Sequence, residues 1–277
     1  MTELNFFSPA QIAEKMSAAG QKKVVTPAGK FFTLAILAGA FIAFGAELSI
    51  MVGHQTGLGV GVTKLLAGSV FSVGLMLVII AGSELFTGDN LIVIAALERK
   101  IRWSQVLNRW MLVYLGNFVG SVLLAGIMFG TGLWLTNGGL VGATALNIAN
   151  AKVNLTFMQA LMRGIGCNWL VCLAVWMAIS AKDITGKIFA IYFPIMAFVA
   201  SGFEHSVANM FFIPYGLFLK GSPAVVDATG KAASAFSNLT WGNFVAKNLI
   251  PVTIGNIIGG AFFVGMLYWY IYLKKEA

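Results

Sequence analysis

The chain has 277 residues, of which 58% are hydrophobic and only 10% are charged. Soluble domains carry about 25% charged residues, so a soluble fold of this length would expose far too much apolar surface to water, and a lipid bilayer is the expected solvent. The net charge of +8 does not indicate nucleic-acid binding, because the basic residues lie beside the ends of apolar runs and not in an aromatic-rich patch.

Six apolar runs are long enough, at about 20 residues, to cross a membrane as helices. An N-terminal segment, residues 1–30, precedes them, and its amphipathic stretch at residues 6–23 predicts a short surface helix. Residues 31–273 are predicted to form one transmembrane bundle, and residues 274–277 a short tail. The predicted spans are residues 31–53, 63–98, 105–135, 156–180, 188–219 and 244–273, with a Gly- and Asn-rich loop before the fourth.

Polar residues interrupt the second and fifth spans near their middle, at residues 84–90 and 203–209. In hydrocarbon each unpaired backbone group is costly, so a broken helix persists only where it is buried in protein or lines a cavity. A break also leaves free N–H groups at the N-terminus of a half-helix, and these attract anions. We therefore predict two half-helix ends, from Asn90 and from about Ser206, that face one pathway.

The interrupted spans belong to an internal repeat. Each is followed by a span with a Gly-Asn-x-x-Gly motif, at residues 116–120 and 255–259. Because each half contains three spans, the halves must have opposite topology, and such inverted repeats place a substrate pathway near the bilayer midplane. The basic residues divide twelve against five between the two sides, which predicts that both termini lie in the cytoplasm.

Four polar side chains are candidates for the pathway: His205, Thr87, Asn168 and Lys152. His205 is the only histidine well inside a span, and an ionisable group at that depth is costly unless it has a function. The alternative is a neutral core histidine bonded to Asn168 or Thr87. Lys152 lies just before the fourth span, where it would attract anions or serve as an ordinary loop lysine.

The acids near the breaks have a structural interpretation. Carboxylates in a pore repel anions, so we expect Glu84 and Glu204 to cap free backbone N–H groups and to hold each break in shape. Phe71, Leu75 and Phe198 precede the breaks, where apolar side chains either close a pore or simply pack. Cys167 and Cys172 are five residues apart in one span, which favours two small core residues over a disulfide.

Several other function classes fit the sequence less well. A membrane enzyme or electron carrier would need a haem or metal site, for which the chain has too few His and Cys residues. A channel for neutral solutes of the water or glycerol type uses paired Asn-Pro-Ala motifs, which the sequence lacks. A structural membrane protein would not explain paired breaks.

Three motifs give the chain a known likeness: Leu85-Phe86-Thr87, residues 202–210 (GFEHSVANM) and residues 248–256 (NLIPVTIGN). With them the chain resembles the formate/nitrite transporter family over nearly its whole length. The resemblance implies an all-α, aquaporin-like membrane fold of six spans in the inner membrane. It also implies a homopentamer with one pore per protomer, no enzymatic activity and no cofactor or metal.

The resemblance also implies roles for individual residues. His205 matches the central pore histidine, Thr87 the threonine that contacts it, Lys152 a loop lysine that polarises the site, and Asn168 an asparagine nearby. Other matched positions are the two apolar constrictions (Phe71, Leu75, Val171 and Phe198) and the break motifs (Leu85, Asn90, Glu204 and Asn209). The segment at residues 6–30 resembles a helix that gates the cytoplasmic mouth.

The expected function is therefore a pH-dependent channel for a small monovalent anion and its proton, with formate as the first candidate. Residues 88–90 (Gly-Asp-Asn) differ from the Ser-rich version of formate channels. Nitrite and hydrosulfide therefore remain as alternatives.

Overall fold

The structure is a computed structural model that describes residues 5–275, so the ends of the predicted N-terminal segment and tail, residues 1–4 and 276–277, lie outside it. The fold is all helical. Its helices are α1 (Pro9–Val25), α2 (Ala28–Gly53), α3 (Gly59–Gly82), α4 (Phe86–Leu97), α5 (Trp103–Thr131), α6 (Leu140–Val153), α7 (Phe157–Ser180), α8 (Ile184–Ala200), α9 (Ser206–Leu219), α10 (Pro223–Ala228) and α11 (residues 241–272).

Within residues 5–275, five helical stretches are long and apolar enough to cross a membrane: α2, α3, α5, α7 and the stretch that ends in α11. The shorter apolar helices α4, α8 and α9 cannot each span a bilayer, because a crossing needs about 20 residues. The predicted second span corresponds to α3 followed by α4, and the predicted fifth span to α8 followed by α9. The all-helical membrane fold is confirmed. The count of six spans remains a prediction, because it requires α8 and α9 to form one span together.

Glycines let the long helices pack with their backbones in contact. A Cβ added at Gly120 of α5 would lie 1.9 Å from the carbonyl oxygen of Ile36 in α2. In the second half, a Cβ at Gly259 of α11 would lie 2.3 Å from the carbonyl oxygen of Ile165 in α7. Small residues at these crossings let the two helices approach closely, which is how helices associate in lipid. The two Gly-Asn-x-x-Gly motifs therefore bring α5 against α2 and α11 against α7.

The region predicted as a loop before the fourth span contains a helix. Residues 140–153 form α6, whose Val141, Leu146 and Ala149 are buried and which packs against α9. At 14 residues α6 is too short to span a bilayer, and the Gly and Asn residues around it are typical of a loop, so the sequence pattern concealed it. The loop prediction was wrong, because the Gly and Asn residues that border and punctuate α6 hid an Ala-rich helix whose apolar residues are buried against α9.

Helix α1 is present where the amphipathic pattern predicted a surface helix. It begins with a capping box formed by Ser8 and Gln11, and Pro9 occupies its first turn. Its apolar residues Ile12 and Met16 are buried in a cluster with α4, α7 and α11. The apolar face of α1 therefore packs on protein, and this places Lys23, near its C-terminal end, beneath the first break.

Replacing Gly120 by Ala is expected to destabilise the protein, because the new Cβ cannot fit against Ile36 unless the two helices separate. The expected cost is about 1–3 kcal/mol, seen as a lower Tm of the purified protein in detergent. Gly126→Ala on the same helix is the matched control, since no atom lies within 4 Å of its added Cβ. Equal Tm values for the two variants would contradict the packing described for α2 and α5.

Candidate functional site

The two half-helices α4 and α9 begin next to each other at the centre of the molecule. The backbone is extended at Leu85 and at His205, immediately before each helix starts. From this centre α4 runs towards α1, and α9 runs towards α6. The side chains of Thr87 and His205 meet, with 3.0 Å between Thr87 Oγ1 and His205 Nε2, and both are buried. Two positive helix ends therefore lie around one pair of polar side chains.

His205 caps its own helix, and this defines which nitrogen carries the proton. Its Nδ1 accepts a hydrogen bond from the backbone N–H of Ala208 at 3.2 Å. In a neutral imidazole one nitrogen accepts and the other donates. Nε2 therefore carries the hydrogen and presents it to Thr87 Oγ1, or to any acceptor that reaches this point. The hydroxyl of Thr87, having accepted that bond, is free to donate its own hydrogen.

An asparagine of α5 secures the first break. Asn117 Oδ1 accepts from the N–H of Phe86 at 2.9 Å, at the first residue of α4. Its Nδ2 donates to the carbonyl oxygens of Ala35 and Glu84 at 2.7 and 3.0 Å. One buried side-chain amide thus pairs the two backbone groups at the break, the N–H of Phe86 and the carbonyl of Glu84, and ties them to the backbone of α2.

An asparagine of α11 secures the second break in the same way. Asn256 Oδ1 accepts from the N–H of Ser206 at 2.9 Å. Its Nδ2 donates to the carbonyl oxygens of Gly164 and Glu204 at 2.8 and 3.0 Å. Both asparagines belong to the Gly-Asn-x-x-Gly motifs, and their partners occupy matching positions in the two halves. This correspondence is what an inverted repeat predicts.

Two sequence predictions about the breaks were wrong. The first half-helix begins at Phe86, not at Asn90, because Asn117 pairs the free N–H of Phe86 and lets the helix start earlier. Glu84 and Glu204 do not cap backbone N–H groups with their side chains. Their carboxylates form ion pairs with Lys23 and Lys152, and the two asparagine amides satisfy the break backbone instead.

The ion pair at the second break is part of a buried polar cluster. Lys152 Nζ lies 2.9 Å from Glu204 Oε1 and 5.2 Å from the ring of Phe212. Asn209 Nδ2 donates to the second carboxylate oxygen of Glu204 at 2.7 Å, and Asn248 Nδ2 lies 3.3 Å from the same oxygen. The negative charge of Glu204 is therefore neutralised by Lys152 and held by two amides.

The first break carries a corresponding ion cluster. Lys23 of α1 donates to the carboxylates of both Glu84 and Asp89. Burial disfavours the ammonium of Lys23, but the two carboxylates outweigh this and raise its pKa above the usual value. Lys23 precedes α2 as Lys152 precedes α7, and Asp89 follows Glu84 at the same interval as Asn209 follows Glu204.

Asn168 and Asn90 lie behind Thr87. Asn168 Nδ2 donates its two hydrogens among three oxygens: the carbonyl of Thr87 at 3.2 Å, Asn90 Oδ1 at 2.8 Å and the carbonyl of Asn256 at 2.7 Å. Asn90 Nδ2 donates to the carbonyl oxygen of Phe86 at 3.1 Å. Cys172, which is free as Cys167 is, donates from Sγ to the same carbonyl of Thr87. These contacts orient the first turn of α4.

Two cavities approach the Thr87–His205 pair from opposite sides. The N-terminal cavity, about 200 Å³, lies beside α1 and is lined by Lys23, Asp89, Leu75 and Leu85. The opposite cavity, about 460 Å³, contains His205 and Lys152 in its wall, with Phe71 and Phe198.

Apolar side chains lie between the two cavities. The rings of Phe71 and Phe198 meet edge to face at 5.6 Å, and Phe198 stacks on His205 at 5.9 Å. Val171, the fourth predicted constriction residue, is buried in the same core cluster but is not among the residues that line either cavity.

Sequence reasoning missed Lys23, Asn117, Asn256 and Asn248 as site residues. Lys23 counted only as one of the basic residues that set the orientation, and both motif asparagines counted only as markers of the internal repeat. One signal could have found Lys23: it precedes the first span of its half, as Lys152 precedes the first span of the second half. Among residues 5–275, no three His, Cys, Asp or Glu side chains are grouped closely enough to hold a metal ion.

The fold and the site together define a multi-pass membrane protein in which paired half-helices separate two cavities. The family model described as "Formate/nitrite transporter" matches residues 10–270. The chain is 45% identical to a probable formate transporter of Methanothermobacter thermautotrophicus, over 98% of this chain and 99% of that protein. It is 44% identical to the formate channel FocA of Escherichia coli K12, over 97% and 95% of the two chains.

A solved structure, described as a pentameric formate channel with formate bound, superimposes with a TM-score of 0.81 at 43% identity. It covers 89% of this chain, and 98% of its own chain is matched. The chain therefore belongs to the formate/nitrite transporter family.

Replacing Asn256 by Ala is expected to lower the stability of the protein strongly. The change removes one acceptor and two donors from buried backbone partners, at a cost of about 2–5 kcal/mol. The measurement is thermal unfolding of the purified protein, with Asn238→Ala, in an exposed loop, as the control. If the two variants unfold at the same temperature, Asn256 does not hold the break.

Proposed function

We propose that this protein is a formate channel in which Thr87 and His205 bind the permeating anion. One observation carries the proposal: the two hydrogen-bond donors lie together where two half-helices begin, between two cavities. Formate has two oxygens that accept hydrogen bonds and one negative charge. The Nε2–H of His205 and the hydroxyl of Thr87 match the oxygens, and the positive ends of α4 and α9 match the charge.

The remaining predicted site residues support this pair. Asn168 and Asn90 act as positioning residues, since they hold the carbonyl groups of Thr87 and Phe86 and with them the first turn of α4. Lys152 polarises the opposite cavity, together with Lys64 and Arg163 in its wall, and raises the local concentration of anions.

The apolar layer determines the protonation state in which formate crosses. Phe71, Phe198 and Leu75 offer a carboxylate no hydrogen bond, and a bare charge between apolar groups is costly. Formic acid carries no charge and passes this layer more easily. We therefore infer that formate takes up a proton before it crosses and loses it in the far cavity, so that one proton moves with each formate.

Assembly and orientation follow the family pattern. We propose a homopentamer with one pore per protomer, in the inner membrane, with both termini in the cytoplasm and no catalytic step. The outer face of α5 suits such an assembly, because apolar residues recur on it every four positions and are exposed in one protomer: Leu107, Met111, Leu115, Val119, Leu123 and Ile127. The solved structure that resembles this chain is described as pentameric.

Removing the donor of Thr87 while keeping its shape is expected to reduce formate flux at least tenfold, the equivalent of about 1.4 kcal/mol of lost anion stabilisation. The substitution is Thr87→Val, and Thr87→Ser, which keeps the hydroxyl, is the matched control. His205→Asn makes the corresponding test for the histidine. Asparagine can still cap α9 by accepting from Ala208, but it lacks the Nε2–H that points at Thr87. Flux of labelled formate into proteoliposomes is the measurement.

Unchanged flux in Thr87→Val and His205→Asn would remove this pair from the mechanism. Tm values measured in parallel show whether a loss of flux reflects the pore or the fold. A loss of flux in Thr87→Ser as large as in Thr87→Val would mean that packing, not the hydroxyl, matters at this position.

Formate flux through the wild-type protein is expected to rise as the pH falls, because the fraction of formic acid grows tenfold per pH unit above its pKa. Flux carried by the free anion would instead be independent of pH at fixed total formate. Protein-free liposomes give the background, since formic acid also crosses lipid. Nitrite and hydrosulfide, added as competitors at each pH, rank the substrates; stronger competition by either than by unlabelled formate would reassign the substrate.

A further inference from the structure

The ion clusters at the two breaks match in position but differ in charge at one residue. Lys23 and Glu84 at the first break correspond to Lys152 and Glu204 at the second. Asn209 in the second cluster is neutral and donates its amide to Glu204. The corresponding residue in the first cluster is Asp89, a second carboxylate in contact with Lys23. The first cluster therefore contains one carboxylate more than the second, and its formal charge is one unit more negative.

The difference extends to the cavities that the clusters face. The charged residues in the wall of the N-terminal cavity are Lys23, Lys187 and Asp89, and Glu84 is paired with Lys23 directly beside them. Their formal charges cancel.

The opposite cavity is charged. Its wall contains Lys64, Lys152 and Arg163 against a single carboxylate, Glu204, so three cations face one anion. In narrow mouths with low-dielectric walls such a difference in charge changes the local concentration of a small anion.

We propose that Asp89 makes the two mouths of the pore electrostatically unequal, so that the N-terminal mouth holds small anions more weakly than the opposite mouth. Glu84 offsets the charge of Lys23 as Glu204 offsets that of Lys152, so Asp89 adds a carboxylate that has no counterpart at the second break. A passive pore has the same permeability in both directions at low substrate concentration, so unequal mouths do not change the flux there. They change the concentration at which the flux saturates. Formate added on the N-terminal side is expected to saturate the flux at a higher concentration than formate added on the other side. This consequence rests on the proposed function; the unequal potentials do not.

The potentials can be measured without any flux. Ala19 lines the N-terminal cavity on the same helix as Lys23, and Ala151 lines the opposite cavity beside Lys152. Ala19→Cys and Ala151→Cys each introduce an accessible thiol, while Cys167 and Cys172 are buried. The rates at which an anionic and a cationic methanethiosulfonate reagent modify each thiol, followed by mass spectrometry, give a ratio that reports the local potential.

The anionic-to-cationic ratio is expected to be higher at residue 151 than at residue 19. Adding Asp89→Asn should raise the anionic-to-cationic ratio at residue 19 by about threefold or more at low ionic strength. This increase should be smaller in about 1 M salt, because the Debye length there is only about 3 Å and the charge is screened. The ratio at residue 151 should not change. The mirror change Asn209→Asp should lower the ratio at residue 151 and leave residue 19 unchanged.

A ratio at residue 19 that does not respond to Asp89→Asn, or that responds equally at all salt concentrations, would overturn the proposal and leave Asp89 as a purely structural partner of Lys23. Zero-trans formate flux adds a second readout, in which Asp89→Asn lowers the half-saturation concentration on the N-terminal side only. If the wild-type protein carried no formate, the proposed function would fail while the reactivity ratios remained readable.

Discussion

The structure depends on two asparagine amides that pair the backbone where helices stop inside the membrane. Hydrocarbon offers no water to the N–H and C=O groups at a break, so the break persists only if other protein groups form hydrogen bonds with them. Asn117 and Asn256 each pair two such groups and also bond one carbonyl oxygen of a neighbouring intact helix, and each resides on a helix brought close by glycines. The broken helices therefore depend on the close helix packing, because that packing brings each asparagine within hydrogen-bond distance of its break.

Stable breaks make an anion site possible at a depth where charge is otherwise excluded. Because both half-helices start at the centre and run in opposite directions, their positive ends converge on Thr87 and His205. His205 uses one nitrogen to cap its helix and offers the other as a donor. The capping bond orients the ring, so the same contact that completes α9 also positions the donor for a ligand.

The sequence indicated the large features because they depend on patterns with a known physical cost. Long apolar runs and their polar interruptions predicted the helices and the breaks, and the lone deep histidine identified the centre. The sequence did not show which side chains satisfy the breaks, since Asn117 and Asn256 are distant from them along the chain. Helix α6 was missed because its burial against α9 depends on the fold, and the Lys23 cluster because its members come from separate segments.

An inverted repeat does more than duplicate a half-channel. The repeat requires both breaks to be held in the same way, and the two asparagines satisfy that requirement identically. The charge beside each break is under no such requirement, because a carboxamide and a carboxylate of similar size fit the same position. Asp89 and Asn209 differ in this respect, so one substitution at a matched position can distinguish the two mouths without disturbing either break. Geometry in this fold is therefore fixed by the repeat, and electrostatics are free to vary on each side.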